Sequence, residues 1–342
     1  MRVSVPLVVI DADVLGRRRT GDETYVLNVL RELPALAGAA GLRLAAVTRA
    51  PELVPPGIEA IRLDVPSQEL RMAWALPRLL RRSGASLVHT QYALPLRSPC
   101  PAVVTIHDLS FERRPELMRR RDRLVFPRIV PRSARRAARV LTVSERSKRD
   151  LVELYGLAPA AIVVTPNGVD PAFRPGSGGT RDYVLSVGAI QARKNQLAAL
   201  EAAQEVGLPF VVVGPEKDAA LARELRERGA TLRGYVTVEE LAALYRGAAC
   251  LVQASSYEGF GLPVLEAMAS GTPVVTVPDP ALLEVAGGAA VVVEGGALAG
   301  GIRQALADHD RLVAAGLERA RAYSWTATAE RTLAVYREVI GR

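Results

Sequence analysis

Residues 255–275, which read SSYEGFGLPVLEAMASGTPVV, predict a loop, a short helix, a turn and a buried strand in that order. Pro263 suits the first turn of a helix, where a missing N–H costs nothing, and Gly271 supplies the stop. The helix is therefore expected over residues 262–270. This alternation of helix and buried strand is typical of an α/β fold.

Two glycines and two carboxylates surround the amino end of the expected helix. Gly259 and Gly261 let a ligand approach the backbone, and the unpaired N–H groups of the helix favour an anion. Glu258 precedes the helix and Glu266 lies inside it. One carboxylate is expected to face the polar head of a ligand and the other its hydroxyl groups, whereas a helix cap and a solvated glutamate are the structural alternative.

The composition indicates two α/β domains. A chain of 342 residues exceeds the usual size of a single core. Nearly half of it, 49%, is apolar and only 5% is aromatic, which suits parallel sheets. The two cysteines, far apart, support neither a disulfide nor a zinc framework and fit a reducing compartment. We expect a cytoplasmic protein whose opening apolar run is a first strand rather than a signal peptide.

Apolar, valine-rich runs alternate with helical stretches along the whole chain, which predicts βαβ units. The expected fold is α/β, with two Rossmann-like, doubly wound parallel-sheet domains that face each other across a cleft. The expected strands contain VSVPLVVI, LRLAAVT, SLVHT, AVVTI and VLTV in the front half, and YVLSVG, PFVVVG, CLVQAS and PVVTV behind.

The stretch DPAFRPGSGG, rich in proline and glycine, lies midway and predicts a linker. We expect a first domain over residues 1–170, a linker over 171–180 and a second domain over 181–325. Residues 326–342 are expected to form a helix that crosses back to the first domain.

Positive charge is concentrated in the front half, where residues 1–175 hold 28 Lys and Arg against 17 Asp and Glu. The segment from Arg113 to Arg139 contains eleven arginines, and Pro127 and Pro131 are expected to interrupt any long helix there. Two explanations fit this segment. It forms a solvated arginine-rich face, or it makes peripheral contact with the inner face of an anionic membrane. Nucleic-acid binding is not expected, because aromatic residues are scarce between the arginines.

Several polar residues follow expected strands, as a ligand site at a sheet edge requires. His107 follows AVVTI beside Asp108, and it is a better candidate for site chemistry than His89. Arg193 and Lys194 follow the strand that ends near Gly188. We expect this pair to open the next helix and to hold a negative group, since cations oppose the dipole at a helix start.

Two common nucleotide-binding motifs are absent from the sequence. Neither GxGxxG after a strand nor GxxxxGK[ST] is present, which argues against nicotinamide and ATP chemistry. The pair Asp11 and Asp13 resembles a metal-binding DxD, but its place at the end of the first strand favours a structural role. We expect neither a metal nor a cofactor.

The chain resembles the retaining glycosyltransferases of the GT-B fold, family 4, over nearly its whole length. The most specific match is SYEGFGLPVLEAMASGTPVV, which contains the two glutamates of that family separated by seven residues. RRRTGDETYVLNVLREL, VVTIHDLSFERRPEL, VVTPNGVDPAFRP and YVLSVGAIQARKN also follow the family pattern. Two positions depart from it: Glu23 stands where a second glycine is frequent, and Ala189 stands where some relatives have arginine.

The resemblance implies roles for individual residues. It implies catalytic roles for His107 against the transferred sugar, Glu258 at the donor sugar and Lys194, with Arg193, at the diphosphate. The remaining donor-binding residues implied are Tyr235, Val236 and Leu241 at the base, and Glu266 at the ribose. Gly259, Phe260, Gly261 and Leu262 are implied at the sugar hydroxyls and phosphate, Gly21 brings the first loop near the phosphates, and Gly188 completes the donor-binding set.

The implied reaction moves a hexose from a nucleotide diphosphate sugar, with GDP-mannose as the first candidate, to a glycan or lipid-linked acceptor with retention. A sugar-nucleotide-binding protein without transferase activity and a GT-B-like epimerase are the alternatives.

Overall fold

The computed structural model describes residues 5–17, 20–117, 120–176 and 180–341. The chain divides into two compact units. Unit 1 comprises Met1–Gly168 and Trp325–Arg342, and unit 2 comprises Val169–Ser324. Residues 177–179 of the expected linker, and Arg119 of the basic segment, lie outside the described residues.

Unit 1 is built on a parallel sheet that has seven strands in the described part of the chain. Their order is β3-β2-β1-β4-β5-β6-β7, so the order reverses between β1 and β4. The strands are β1 (Leu7–Asp11), β2 (Arg43–Thr48), β3 (Glu59–Arg62), β4 (Leu87–Gln91), β5 (Ala102–Thr105), β6 (Arg139–Thr142) and β7 (Ile162–Val164).

Unit 2 repeats this plan with a parallel sheet of six described strands. The order β10-β9-β8-β11-β12-β13 reverses between β8 and β11. The strands are β8 (Tyr183–Val187), β9 (Phe210–Val213), β10 (Thr231–Leu232), β11 (Ala248–Gln253), β12 (Val274–Thr276) and β13 (Val291–Val292). The α/β fold with two doubly wound parallel sheets is thereby confirmed, and the cleft between the two domains stays a prediction.

Helices connect the strands, as parallel pairing requires. In unit 1 they are α1 (Thr20–Ala39), α2 (Gln68–Leu70), α3 (Leu76–Ser83), α4 (Ser110–Arg113), α5 (Arg120–Arg136) and α6 (Glu145–Tyr155). In unit 2 they are α7 (Gln196–Glu205), α8 (Ala219–Glu227), α9 (Val238–Gly247), α10 (Leu262–Ala269), α11 (Pro280–Ala286), α12 (Leu298–Ala307) and α13 (His309–Ala320), after which α14 (Trp325–Ile340) closes the chain.

The last helix, α14, belongs to unit 1, where it packs against α1. Trp325 at its start meets the ring of Tyr25 edge-on at 6.3 Å between centroids. About one turn before its end, the hydroxyl of Tyr336 lies 2.6 Å from Nδ1 of His89. The apolar stripe that the closing sequence displays is thus buried against the first unit's own sheet and helix.

The structure corrects the expectation that Pro127 and Pro131 interrupt the basic segment. Both lie inside α5, a helix of 17 residues. Val130 and Ala134 on its inner side are buried in the core of unit 1, with Phe126 packed against that core. Burial of this apolar face offsets the backbone hydrogen bonds that the two prolines remove, because most helix stability in proteins comes from tertiary packing.

The four strands that the sequence pattern missed, β3, β7, β10 and β13, are the edges of the two sheets. They are short and largely exposed or half-buried, as in EAIR of β3 and TL of β10. An edge strand has one neighbour and need not be apolar on both faces, so it lacks the continuous apolar run of a central strand. In the described residues, no helix is both long and apolar enough to cross a bilayer.

Candidate functional site

The candidate site in unit 2 begins where the strand order reverses. Neighbouring strands β8 and β11 pair in parallel, with Leu185 opposite Leu251, so the loops that follow them leave at the same edge of the sheet. In a doubly wound sheet, this point at the carboxyl ends of the strands is where ligands bind. The loop after β8 carries Gly188 to Lys194, and the loop after β11 carries Glu258.

Two glycines allow close packing at this edge. Gly188 and Gly214 follow β8 and β9 with φ of 142° and 144°. A Cβ on Gly214 would lie 2.2 Å from the carbonyl oxygen of Gly188, and a Cβ on Gly188 would lie 3.2 Å from Cε of Lys194. Any side chain at Gly214 would therefore force the two loops apart, and one at Gly188 would crowd Lys194.

The two expected cations do not open a helix, which corrects the prediction. Arg193 and Lys194 lie in a short 3-10 turn, Ala192–Lys194, and α7 starts only at Gln196. Asn195 separates the two elements with a left-handed backbone, φ 51°. The two cations therefore precede α7 and are not part of its first turn.

The negative partner that the cations were expected to require is Glu258. Nζ of Lys194 lies 2.5 Å from its Oε1, and Nη1 of Arg193 lies 3.4 Å from its Oε2. Glu258 is only 7% exposed. Burial alone would raise the pKa of Glu258, but the charges of Lys194 and Arg193 lower it to about 2. The carboxylate is therefore ionised throughout the neutral range.

The helix after Glu258 forms as the sequence predicts, over Leu262–Ala269 with proline in its first turn. Gly261 precedes it with φ 111°, and a Cβ there would lie 2.9 Å from the Leu282 side chain. The Phe260 side chain is buried against Tyr323, with ring centroids 5.8 Å apart. Because the Phe260 side chain is buried, we expect a ligand to contact the backbone of residues 259–262 and not this side chain.

Glu266 lies inside α10 and is buried. Its Oε2 accepts a hydrogen bond of 2.8 Å from the hydroxyl of Tyr245, a residue of α9 that the sequence reasoning did not select. Burial raises the pKa of Glu266 to about 7, and the charge of Asp170 adds to this rise, while the Tyr245 hydrogen bond opposes it. Its protonation therefore changes near neutral pH, unlike that of Glu258.

The three residues expected at the nucleotide base follow β10. Tyr235 is 46% exposed, Val236 follows it in the loop and Leu241 lies in the first turn of α9. The backbone N–H of Gly214 donates to the carbonyl of Gly234 at 2.9 Å, which ties this loop to the edge described above.

In unit 1, His107 follows β5 and is buried, with Nε2 2.8 Å from Oε1 of Gln91. The ring of Tyr25 meets it edge-on at 4.8 Å. Burial lowers the pKa of His107, and the carboxylates of Asp22 and Asp108 oppose this effect. His107 is therefore a neutral imidazole beside two acids.

Gly21 and Glu23 share the first turn of α1 in unit 1. Space around Gly21 is open, since none of the described atoms lies within 4 Å of a Cβ built on it. Glu23, the departure from the family pattern, accepts a hydrogen bond of 2.7 Å from the backbone N–H of Gly16. This hydrogen bond links the first turn of α1 to Gly16.

Asp11 and Asp13 have structural partners. Arg71, which is fully buried, lies 2.5 Å from Asp11, and Arg49 lies 2.9 Å from Asp13, which also pairs with Arg17. Among the described residues, no group of three or more His, Cys, Asp or Glu side chains could hold a metal ion. The acidic pair is thus engaged by three arginines, of which Arg71 is buried and Arg49 and Arg17 are partly exposed.

Sequence comparison identifies the class of protein to which these sites belong. Residues 19–173 match the family described as Glycosyltransferase Family 4, and residues 172–322 match Glycosyl transferases group 1. The O-antigen chain mannosyltransferase B of Escherichia coli is 32% identical over 329 residues, which cover 87% of this chain and 83% of that protein. The chain belongs to the group 1 glycosyltransferases.

Other similarities extend this assignment. An MMP alpha-(1->4)-mannosyltransferase from Mycolicibacterium hassiacum is 32% identical to this group 1 glycosyltransferase over 64% of the chain and 58% of that protein. Among solved structures, sucrose-phosphate synthase from Thermosynechococcus elongatus matches with a TM-score of 0.80 and 21% identity, covering 98% and 99% of the two chains. Anabaena HepE, solved with UDP-glucose, matches with a TM-score of 0.75 and 13% identity, covering 97% and 99%. The fold is GT-B.

The raised pKa of Glu266 predicts a pH-dependent stability for this glycosyltransferase. Between about pH 4.5 and pH 7 the folded state keeps a proton that the unfolded state has released, so stability is lost as pH rises through this window. Glu266→Gln removes this loss. We expect the melting temperature of the wild type to fall relative to that of Glu266→Gln between pH 5 and pH 8.

The matched control is Glu205→Gln, because Glu205 is an exposed glutamate of the same unit, paired with Arg303. Its melting temperature should follow the wild type across the range. Glu258 does not affect this comparison. Its pKa is lowered from 4.5 to about 2, so its contribution to stability changes with pH only below about pH 4.5. Parallel curves for wild type and Glu266→Gln would contradict a raised pKa at Glu266.

Proposed function

We propose that this group 1 glycosyltransferase transfers a hexose from a nucleotide diphosphate sugar to a glycan or lipid-linked acceptor, with retention of anomeric configuration. The observation that carries the proposal is the buried pairing of Glu258 with Lys194 and Arg193 where the strand order reverses. It combines cations for a leaving diphosphate with an ionised carboxylate for sugar hydroxyls, beside a helix amino end.

The donor is proposed to lie along the carboxyl edge of the unit 2 sheet. Lys194 and Arg193, with the backbone at Gly261, hold the diphosphate, and Glu258 accepts hydrogen bonds from the sugar. Glu266 accepts hydrogen bonds from the ribose. Tyr235, Val236 and Leu241 line the base, with an exposed tyrosine ring available for stacking.

Mannose is the proposed sugar, with GDP-mannose as the first donor to test and UDP-hexoses and deoxysugar nucleotides next. The support is that two relatives at 32% identity are named as mannosyltransferases. HepE, the relative solved with UDP-glucose, is only 13% identical and informs the fold rather than the sugar.

Retention is proposed because the site favours charge stabilisation over covalent catalysis. Glu258 is held by two cations that lower its pKa to about 2, which makes its carboxylate a weak nucleophile. If the departing phosphate itself accepts the acceptor's proton on the same face, the protein need only position the reactants and stabilise negative charge. The role of His107 against the transferred sugar stays a prediction from the family resemblance.

Lys194→Ala is expected to lower kcat about a hundredfold or more, because its cation stabilises the negative charge that develops on the diphosphate. Steady-state kinetics with GDP-mannose, UDP-glucose or UDP-galactose, whichever the wild type turns over fastest, measures this.

The same assay in EDTA should give unchanged turnover by the wild type, since Lys194 and Arg193 already supply the positive charge that the diphosphate needs.

Arg303→Ala is the matched control, because Arg303 forms an exposed ion pair in the same unit. It should keep wild-type kcat. A folded Lys194→Ala variant with near-native kcat would disprove the phosphate site. Binding of a nucleotide sugar without turnover by the wild type would instead favour the non-catalytic binding protein, and a changed sugar in the recovered nucleotide would favour the epimerase.

The stereochemical outcome is expected to be retention, so an α-linked nucleotide sugar should yield an α-linked product. Proton NMR of the anomeric signal early in the reaction distinguishes the two anomers. Glu258→Gln should slow transfer without accumulation of a covalent sugar adduct, which intact-protein mass spectrometry detects. A β product from an α donor would reject retention and make His107 the candidate general base.

Helix α5 is the proposed site of peripheral contact with an anionic membrane that carries the acceptor. Leu124 and Ile129 on this helix are 58% and 39% exposed, whereas Val130 and Ala134 are buried. Exposed apolar side chains among arginines are typical of helices that lie at an anionic lipid surface. A solvated arginine face is the alternative, and it does not require an apolar side chain at Leu124.

Sedimentation with phosphatidylglycerol vesicles should show binding that weakens steeply from low to physiological salt, as screening shortens to about 8 Å. Leu124→Asp should reduce this binding. Leu283→Asp, which makes the same change at a 41% exposed leucine of unit 2, should not. Equal pelleting of all three proteins, or pelleting with neutral vesicles alone, would leave α5 as a solvated face.

A further inference from the structure

A buried amide supports the carboxylate of Glu258 from the end of its own strand. Gln253, the last residue of β11, is 2% exposed although the rest of that strand is apolar. Its Nε2 donates to Oε1 of Glu258 at 2.6 Å and to Oγ of Ser255 at 3.1 Å. Because both N–H groups of the amide have acceptors, its orientation is determined.

The same carboxylate oxygen also accepts from Lys194 at 2.5 Å. Oε1 of Glu258 therefore accepts from two donors, the charged and flexible Lys194 and the neutral, buried Gln253. When a diphosphate binds, Lys194 can turn towards the phosphate. Gln253 cannot turn away, because its buried N–H groups would lose their acceptors.

We propose that Gln253 is a positioning residue that keeps the Glu258 carboxylate in place while Lys194 serves the diphosphate of the donor. The inference rests on the proposed function, because it assumes that Lys194 and Glu258 contact different parts of one nucleotide sugar. It extends that function by adding a residue outside the paired-glutamate motif.

The chemistry of an amide suits this task. A buried carboxylate that loses its cation needs other hydrogen-bond donors, since a lone buried charge is strongly unfavourable. Ser255, which bonds both Gln253 and Glu258, completes a triangle of polar groups around the carboxylate. An amide supplies its hydrogen bond without a positive charge, so it does not draw the leaving diphosphate towards the sugar-binding carboxylate.

The strand end is itself held firmly. The carbonyl oxygen of Gln253 accepts a hydrogen bond of 3.1 Å from the hydroxyl of Thr276 on the neighbouring strand β12. Val252, one residue earlier, pairs with Val275 in the parallel ladder. The Gln253 side chain thus projects from a rigid element, and such preorganisation is what a residue must have to orient a catalytic group.

The test compares Gln253→Leu with the wild type, using as donor whichever of GDP-mannose, UDP-glucose and UDP-galactose the wild type turns over fastest. We expect kcat to fall tenfold to a hundredfold. The donor KM, and the Kd of the matching nucleoside diphosphate, should change less than about twofold, because base and phosphate contacts lie elsewhere. A merely structural residue would instead alter kcat, KM and Kd together.

Gln253→Glu provides a second readout in case the leucine variant does not fold. A carboxylate at this position accepts rather than donates unless protonated, and it would face Glu258 with Lys194, Arg193 and Asp279 nearby. Its activity optimum should therefore move to lower pH than that of the wild type. An unchanged pH profile would overturn the proposal.

Gln196→Leu is the matched control, since Gln196 is 1% exposed and its side-chain amide has no hydrogen-bond partner among the described residues. It should keep wild-type kcat, which excludes a general effect of removing a buried glutamine. Wild-type kcat in Gln253→Leu, alongside a defective Lys194→Ala, would overturn this inference alone. Wild-type kcat in Lys194→Ala would instead refute the proposed phosphate site, and binding without turnover by the wild type would refute the proposed function.

A test that needs no turnover compares the melting temperatures of Gln253→Leu, Glu258→Gln and the double variant with that of the wild type. The hydrogen bond from Gln253 to the carboxylate predicts that the two effects are not additive. Additive effects would overturn the proposal even if no nucleotide sugar of the three is turned over.

Discussion

The burial of one carboxylate, Glu258, is the constraint on which the donor-side architecture depends. An ionised carboxylate that is 7% exposed needs both charge and hydrogen bonds around it. Lys194 and Arg193 supply the charge from the loop after β8, and Gln253 supplies a neutral donor from the end of β11. These groups meet only because the two strands are parallel neighbours.

The parallel arrangement also explains why glycines stand where they do. Each loop leaves its strand at the same edge, so successive loops compete for the same space. Gly214 resolves one such conflict, since a Cβ there would overlap the carbonyl of Gly188. Gly188 in turn leaves room for the side chain of Lys194. Glycine is therefore needed at both positions, because any side chain there would crowd the loops around the ion pair.

The two glutamates of the motif differ because their surroundings differ. Glu258 is paired with cations, and its pKa is lowered to about 2. Glu266 is equally buried but has a tyrosine hydroxyl as its partner, and its pKa rises to about 7. A hydrogen bond from a neutral hydroxyl offsets less of the lost solvation of a carboxylate than a full positive charge does. Glu258 is thus ionised throughout the neutral range, whereas Glu266 changes its charge near neutral pH.

Much of this architecture was predictable from local sequence. The central strands are continuous apolar runs, because both of their faces are covered, and α10 begins near Pro263 and ends before Gly271 as local chemistry requires. The edge strands β3, β7, β10 and β13 were not predictable, because one neighbour suffices to pair them and their residues remain partly exposed. The continuous helix through Pro127 and Pro131 was hidden for the opposite reason, since burial of Val130 and Ala134 overrides a strong local signal.

Local sequence is enough to predict the doubly wound fold, the paired glutamates and the cations near Gly188, because each has a signature in neighbouring residues. The contact between Lys194 and Glu258, which are 64 residues apart, is visible only in the folded chain. The same is true of the hydrogen bonds by which Gln253 and Tyr245 hold the two carboxylates. The one sequence signal at Gln253 is a polar residue at the end of an apolar strand. Partners of a buried charge are selected by proximity in space, and a linear pattern does not contain that distance.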